Sequence, residues 1–430
     1  VRLSPIACLP LVWALVSPLA APTAQAVSPP QIDDKWLPKP ARPAAAFPTV
    51  QREVCAAVTT GPAPNRPPDI LDLSRVWPLT RGAGQRVAVI DTGVSPQRAL
   101  PNVVPGGDYV SNGDGTQDCD AHGTLVAGIV AAERDSSVSG FSGVAPEATL
   151  ISIRQSSAKF SPASDRSRTG VGDVETMAKA VRTAADLGAS VINISSVACV
   201  PAAATLDDRA LGAALAYAVD IKNVVVVAAA GNTGSAAQCP PQRLDATWET
   251  VTVAVSPAWY DDYVLTVGSV NDEGAPSAFT LAGPWVDVAA PGEAVTPLGS
   301  APVSGTSYAA PVVSGLAALI RARFPVLTAR QVMQRIESTA HHPPAGWDPL
   351  VGHGTIDALA AVSTDVVAPE STPTPDPAPI AAPPAAAPPN ARARHTALRG
   401  VVVCLAGLGI ALAVGVARGR LRGRDEVAGG

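Results

Sequence analysis

The chain is short of the features that would bind a polyanion. It carries 31 Lys and Arg against 36 Asp and Glu in 430 residues, a formal net charge of −5, and its central region has no dense basic patch. Nucleic acids are held first through clustered cations, so no nucleic acid is expected as a partner. Internal repeats are absent. Histidine is scarce: there are five, and His122 is the only one between Asp91 and Ser307. Any imidazole chemistry in that span falls to a single residue. Metal signals are equally thin. His341-His342 is followed by Pro343-Pro344 and reads as a surface turn, and Asp261-Asp262 is too short an acidic run to place calcium. No metal or other cofactor is implied.

What is present divides the chain by composition. Apolar residues make up 47 %, enough for a sizeable core, but many of the 43 prolines fall in two stretches that cannot be core. Residues 1–26 read as a secretory signal, with Arg2, an apolar stretch from Ile6 to Ala20, and the small-x-small site Ala24-Gln25-Ala26. Residues 27–68 hold ten prolines and read as an extended segment, either a cleaved propeptide or an arm laid along the next domain, with Cys55 favouring the arm. Residues 363–399 form a linker, with nine prolines in the 21 positions from 369 to 389, a spacer reaching about 65 Å. Gly400–Ala417 is uncharged and spans about 27 Å as a helix, just enough to cross a bilayer. The signal sets the orientation, so the Arg-rich tail 418–430 is expected in the cytoplasm and the body outside, at the cell membrane. Cys8 would leave with the signal and Cys404 lies in the span. Cys55, Cys119, Cys199 and Cys239 remain in an oxidising compartment, with three possible pairings.

From residue 69 to 362 short apolar runs alternate with helical patterns. Arg86–Ile90, Ala148–Ile153, Ser190–Ile194 and Val224–Ala228 are continuous rather than alternating, as suits strands covered on both faces. Asp173–Leu187 and Asp207–Val219 have helical spacing and length. The expectation is one α/β domain, a parallel sheet flanked by helices. Two connections, Gln155–Gly172 and Thr233–Val255, are long for such a domain.

Chemistry concentrates around Ser304-Gly305-Thr306-Ser307-Tyr308-Ala309-Ala310-Pro311. Small residues let a substrate backbone approach Ser307, and a helix starting there would aim free N–H groups at the same spot. Pro311 suits a first helical turn, where a missing N–H matters least. Three strands end in polar or small segments that would share one rim of a parallel sheet: Asp91, Ser195-Ser196, and Ala229-Ala230-Gly231-Asn232. His122 opens a helical stretch. Serine, imidazole and carboxylate together supply a nucleophile, its base and the group that orients the base.

Their chain order, Asp91, His122, Ser307, is one of three known for this geometry. Here the residues resemble the subtilisin-like serine proteases, or subtilases. Val87–Val94 looks like the aspartate motif, His122–Gly128 the histidine motif, Gly305–Pro311 the serine motif, and Ala229–Asn232 the segment supplying a side-chain oxyanion donor. The resemblance implies a serine endopeptidase acting on a protein or peptide substrate. Asp91, His122 and Ser307 would be catalytic and Asn232 would complete the oxyanion hole. Ser195, Ser196 and Val197 would align the substrate as an added strand, and Ala229, Ala230 and Gly231 would line the pocket for the residue before the cleaved bond. Many subtilases have glycine at the position of Val197, which implies a narrower cleft. No charged residue lies in the Ala228–Gly231 wall, so a small or apolar preference is expected. An aspartic protease would need a second Asp-Thr-Gly, which the chain lacks, and a nucleophile elbow would need a closing glycine that Gly305–Ala309 lacks, with His341, His342 or His353 as its histidine.

The whole layout further resembles the mycosins, the membrane-anchored subtilases of type VII secretion systems. Shared features are the signal, the arm with Gln31-Ile32-Asp33-Asp34-Lys35-Trp36-Leu37-Pro38, four extracytoplasmic cysteines, the spacer and the single span. On that resemblance the arm wraps the protease domain, Cys55 pairs with Cys119, and Cys199 pairs with Cys239. The implied partner is the secretion membrane complex. The same resemblance carries an alternative, a mainly structural subunit whose proteolysis is dispensable.

Overall fold

The computed structural model describes residues 27–58, 71–134, 141–165, 167–204, 206–234 and 239–363, together with Val414. The expected signal peptide, the linker beyond residue 363, the cytoplasmic tail and, Val414 apart, the expected membrane helix lie outside the described residues. Among the described residues no helix is long and apolar enough to cross a membrane.

In chain order the elements are β1 (Thr49–Gln51), α1 (Leu73–Val76), β2 (Arg86–Asp91), β3 (Val103–Asp108), α2 (His122–Ala131), β4 (Thr149–Arg154) and β5 (Phe160–Pro162). Then come α3 (Val174–Asp186), β6 (Val191–Ile194), β7 (Ala198–Pro201), α4 (Arg209–Ala216), β8 (Val225–Ala229) and β9 (Val253–Ser256). The last are β10 (Leu265–Val270), β11 (Val288–Pro291), α5 (Thr306–Arg323), α6 (Ala329–Thr339) and α7 (Ala358–Ser363).

The four apolar runs become β2, β4, β6 and β8, nearly every residue of which is buried. They form the middle of a seven-stranded sheet of order β11-β10-β8-β6-β2-β4-β3, in which all neighbours run parallel. The edge strand β3 carries Pro105, Gly106 and Gly107, and its register shifts there. Proline is tolerated at such an edge, where one side of the strand has no ladder to complete.

Two helix pairs cover the sheet, α2 with α5 and α3 with α4. α3 begins where its sequence says it should: Asp173 accepts from the Thr176 amide at 2.8 Å, and Thr176 Oγ1 returns the contact to the Asp173 amide. α5 is different in kind. Every residue from Thr306 to Ile320 is buried, as expected of a helix apolar on all sides. It packs on β6, β8, β10 and β11 as well as on α2. Its Leu316, Leu319 and Ile320 are at most 1 % exposed, each stabilising by roughly 1.5–3 kcal/mol.

Both long connections are tied into small antiparallel ribbons. The first contains β5, which pairs with β1 of the N-terminal arm. The second runs into β9, which pairs with β7. The arm touches the domain at further points: Val27 N donates to Trp248 O, Pro38 O accepts from Arg182, and the Arg209 guanidinium stacks 3.8 Å from the Trp36 ring. Cys55 is bonded to Cys119 and Cys199 to Cys239. His341 forms an isolated backbone bridge with Thr355.

Candidate active site

β8, β6 and β2 lie side by side in that order. Their registers pair Ala228 with Ile194 and Ile194 with Ile90. The residues that follow, Ala229, Ser195 and Asp91, therefore emerge level at one rim. α2 begins at His122 and α5 at Thr306, which brings both helix N-termini to the same place.

His122 bridges the other two. Its Nδ1 lies 2.7 Å from Asp91 Oδ1 and its Nε2 lies 3.0 Å from Ser307 Oγ. Asp91 is 1 % exposed, and the same Oδ1 accepts from the Thr92 amide at 2.7 Å. Desolvation draws the His122 pKa down, but the charge and hydrogen bond of Asp91, with Asp118 and Asp120 behind it, outweigh that and leave it above the ordinary histidine value. Close approach demands a small residue after His122. A Cβ on Gly123 would fall 2.2 Å from Gly93 O and 3.1 Å from Asp91 Oδ1. The Tyr308 ring sits 5.2 Å from the imidazole on the other side.

Asn232 is fixed by its oxygen. Oδ1 accepts from Thr306 N at 2.9 Å and from Thr306 Oγ1 at 3.1 Å, while Thr306 Oγ1 accepts from Gly231 N. Nδ2 is left facing the nucleophile side. A Cβ on Gly305 would stand 3.1 Å from Ser307 Oγ and 3.5 Å from Asn232 Nδ2, so glycine keeps this space open. The Ser307 N–H belongs to the first turn of α5, where amides have no partner within the helix.

Two features were not foreseen. The first is Asp118, whose carboxylate takes five donors: Thr92 Oγ1, Asp120 N and Ala121 N on Oδ1, and Thr124 N and Oγ1 on Oδ2. Thr92 Oγ1 also accepts from Gly123 N. Asp118 thus caps α2 and straps it to the residue after Asp91. Its only sequence signal is an acidic residue just before a helix. The second concerns Pro311. The helix starts at Thr306, so Pro311 is the sixth residue and not in the first turn as expected. The carbonyl it leaves free belongs to Ser307, and Ser195 Oγ donates to it at 2.8 Å.

These residues border an open cleft of about 1240 Å³. Ser195, Ser196, Val197, Ala229, Gly231 and Asn232 line it. Ala230 does not; it is fully buried, and its amide donates to Val267 O. Val197 Cγ2 would lie 3.5 Å from a Cβ placed on Gly231, beside Cys239 Sγ at 3.0 Å. Another wall comes from the two ends of the 155–172 connection, residues 155–159 and 168–172, which bring Lys159 and Arg168 to the cleft. The arm braces that wall through β1 on β5, Arg52 N on Lys159 O, and the Glu53–Lys159 ion pair at 2.5 Å.

Residues 82–354 match the Subtilase family, Peptidase_S8. The chain is 68 % identical over 441 residues to Mycosin-4 of Mycobacterium tuberculosis (strain ATCC 25618 / H37Rv), covering 97 % of this chain and 96 % of that one. Among solved structures it is similar to the MycP3 protease from the type VII (ESX-3) secretion system, with 46 % identity and a TM-score of 0.71 over 79 % of this chain and 100 % of that one. It is also similar to a chain in the periplasmic assembly of the ESX-5 inner membrane complex, with 41 % identity and a TM-score of 0.72 over 85 % of this chain and 100 % of that one.

Proposed function

The chain belongs to the subtilase family of serine proteases and, within it, to the mycosins; on that premise we propose that Asp91, His122 and Ser307 are the catalytic triad of a membrane-anchored, extracytoplasmic endopeptidase serving type VII secretion. The observation that carries this reading is the pair of contacts made by His122, 2.7 Å to the carboxylate and 3.0 Å to the hydroxyl. Ser307 Oγ attacks the scissile carbonyl while His122 Nε2 takes its proton. Asp91 holds the imidazole with Nδ1 protonated and stabilises the imidazolium that forms. The oxyanion of the tetrahedral intermediate is held by Asn232 Nδ2 and the Ser307 N–H. His122 then protonates the leaving amine, and a water attacks the acyl-enzyme by the same route in reverse. The substrate backbone lies along Ser195–Val197, and the slot between Val197 and Gly231 selects a small apolar residue before the cleaved bond.

The anchoring part of the reading rests on sequence: a signal at 1–26, an arm at 27–68, the protease domain at 69–362, a linker at 363–399, a span at 400–417 and a cytoplasmic tail. The similar chain in the periplasmic assembly of an inner membrane complex supports both the location and a partner in that complex. It equally supports the second reading, in which the protein is chiefly a structural subunit. Labelling of the purified chain by a fluorophosphonate, compared with Ser307→Ala, tests the triad. Unlabelled wild type overturns it. Secretion in a Ser307→Ala strain separates the two readings: intact secretion with lost processing supports a structural role beside catalysis, and lost secretion makes cleavage itself the requirement.

A further inference from the structure

The helix that carries Ser307 has a gap in its hydrogen-bond ladder one turn later. In a regular helix the carbonyl of residue 307 takes the N–H of residue 311. Residue 311 is proline, which has no N–H and whose ring crowds the carbonyl four residues back. A buried carbonyl without a donor is unfavourable, and here the donor comes from another element. Ser195, the first residue after β6, donates from Oγ to Ser307 O at 2.8 Å.

Ser195 is itself held. Asn193 Nδ2 donates to Ser195 Oγ at 2.9 Å, which occupies the acceptor side of the hydroxyl and leaves its proton for Ser307. Ser314 Oγ donates to Asn193 Oδ1 at 2.8 Å and sets the amide's orientation. Asn193 and Ser314 are fully buried and Ser195 is 6 % exposed. The three bonds leave α5 at Ser314, cross the end of β6, and return to α5 at Ser307. β6 is hydrogen-bonded to β2, the strand that ends in Asp91.

We propose that Ser195 is a positioning residue for the nucleophile: it supplies the donor that Pro311 lacks and so registers the Ser307 backbone to the sheet that carries Asp91 rather than to its own helix. This sets where Ser307 Oγ stands with respect to His122 Nε2. The inference rests on the reading of Ser307 as nucleophile.

The test is a double-mutant cycle on the full chain in detergent, read by the kinetics of fluorophosphonate labelling, with the maximal rate constant and the half-saturating concentration measured separately. The rate constant is independent of how much protein is folded, because misfolded molecules lower the final extent of labelling instead. Ser195→Ala is expected to lower the rate constant about five- to tenfold with little change in half-saturation. Pro311→Ala restores an N–H at residue 311, so adding Ser195→Ala to it is expected to change the rate constant by less than about twofold. Equal losses in the two backgrounds, or no loss in either, overturn the inference. A wild type that takes no label overturns the reading of Ser307 and this inference with it; a labelled wild type with a flat cycle overturns this inference alone.

Discussion

Thr306 donates twice to one oxygen of Asn232, from its amide at 2.9 Å and its hydroxyl at 3.1 Å. Two donors on Oδ1 decide the amide's orientation without any help from substrate, so Nδ2 faces Ser307 in the resting protein. Such a donor does its work when negative charge develops on the scissile oxygen. Asn232→Ala is therefore expected to lower kcat by about 10²- to 10³-fold with KM little altered, the range known for removal of one such donor in a subtilisin. Thr306→Val, which keeps one of the two bonds, is expected to lower kcat less. Steady-state kinetics on a peptide substrate checks both.

Asp118 links geometry to pH dependence. In the proposed triad His122 serves as base only when neutral, so kcat/KM is expected to fall as the pH drops through its pKa, which lies above the usual histidine value. Asp118 contributes to that elevation, after Asp91. Asp118→Asn is expected to move the acid limb of the pH profile to lower pH by a fraction of a unit. It also removes acceptors for the strap between Thr92 and α2, and roughly a tenfold loss of kcat is expected from the misplaced imidazole. An unshifted acid limb would show that the charge does not reach His122.

In the proposed reading Val197 and Gly231 border the slot for the residue before the cleaved bond, Val197 Cγ2 standing 3.5 Å from where a Cβ on Gly231 would be. Val197→Gly is expected to raise kcat/KM for peptides with a large apolar residue before the cleaved bond, relative to alanine, by roughly tenfold or more. Competition between two such peptides in one reaction measures the ratio directly.

The Cys55–Cys119 bond ends three residues before His122 and anchors the strand that braces the far wall. Cys55→Ser is expected to reduce stability by about 2–4 kcal/mol. Limited proteolysis should then cut first within residues 155–172, since β5 loses its partner. Thermal unfolding and peptide mapping check the two effects.

The four motif segments were legible because each couples a reactive residue to small neighbours that only a close approach requires, as Gly123 and Gly305 illustrate. β2, β4, β6 and β8 were legible because strands buried on both faces read as unbroken apolar runs. β3 was not, since its Pro-Gly-Gly core is allowed only by its edge position, and β10 was hidden by Gly268-Ser269. The bracing ribbon was invisible for another reason: β1 and β5 are three residues each, and neither has a pattern until the other is beside it. Asp118 carries no motif, and Ser195 reads from sequence only as part of the substrate path; what matters in both is how many partners converge on them, which spacing along one chain does not encode. Of the three successive residues expected at the pocket, Ala229 and Gly231 reach the cleft while Ala230 between them turns into the core, as alternation along an extended chain requires.

The two sides of the cleft are built to different depths. Asp91, Ser195 and Ala229 sit at the ends of central strands with neighbours on both flanks, whereas the described residues of the 155–172 wall are held by a three-residue ribbon to the arm and by local contacts to Asp120 and Asp91. Opening free energies follow such differences in packing. The chemical side is therefore expected to exchange its amide hydrogens last and the braced side to breathe. A peptide admitted by that breathing would meet a nucleophile that had not moved.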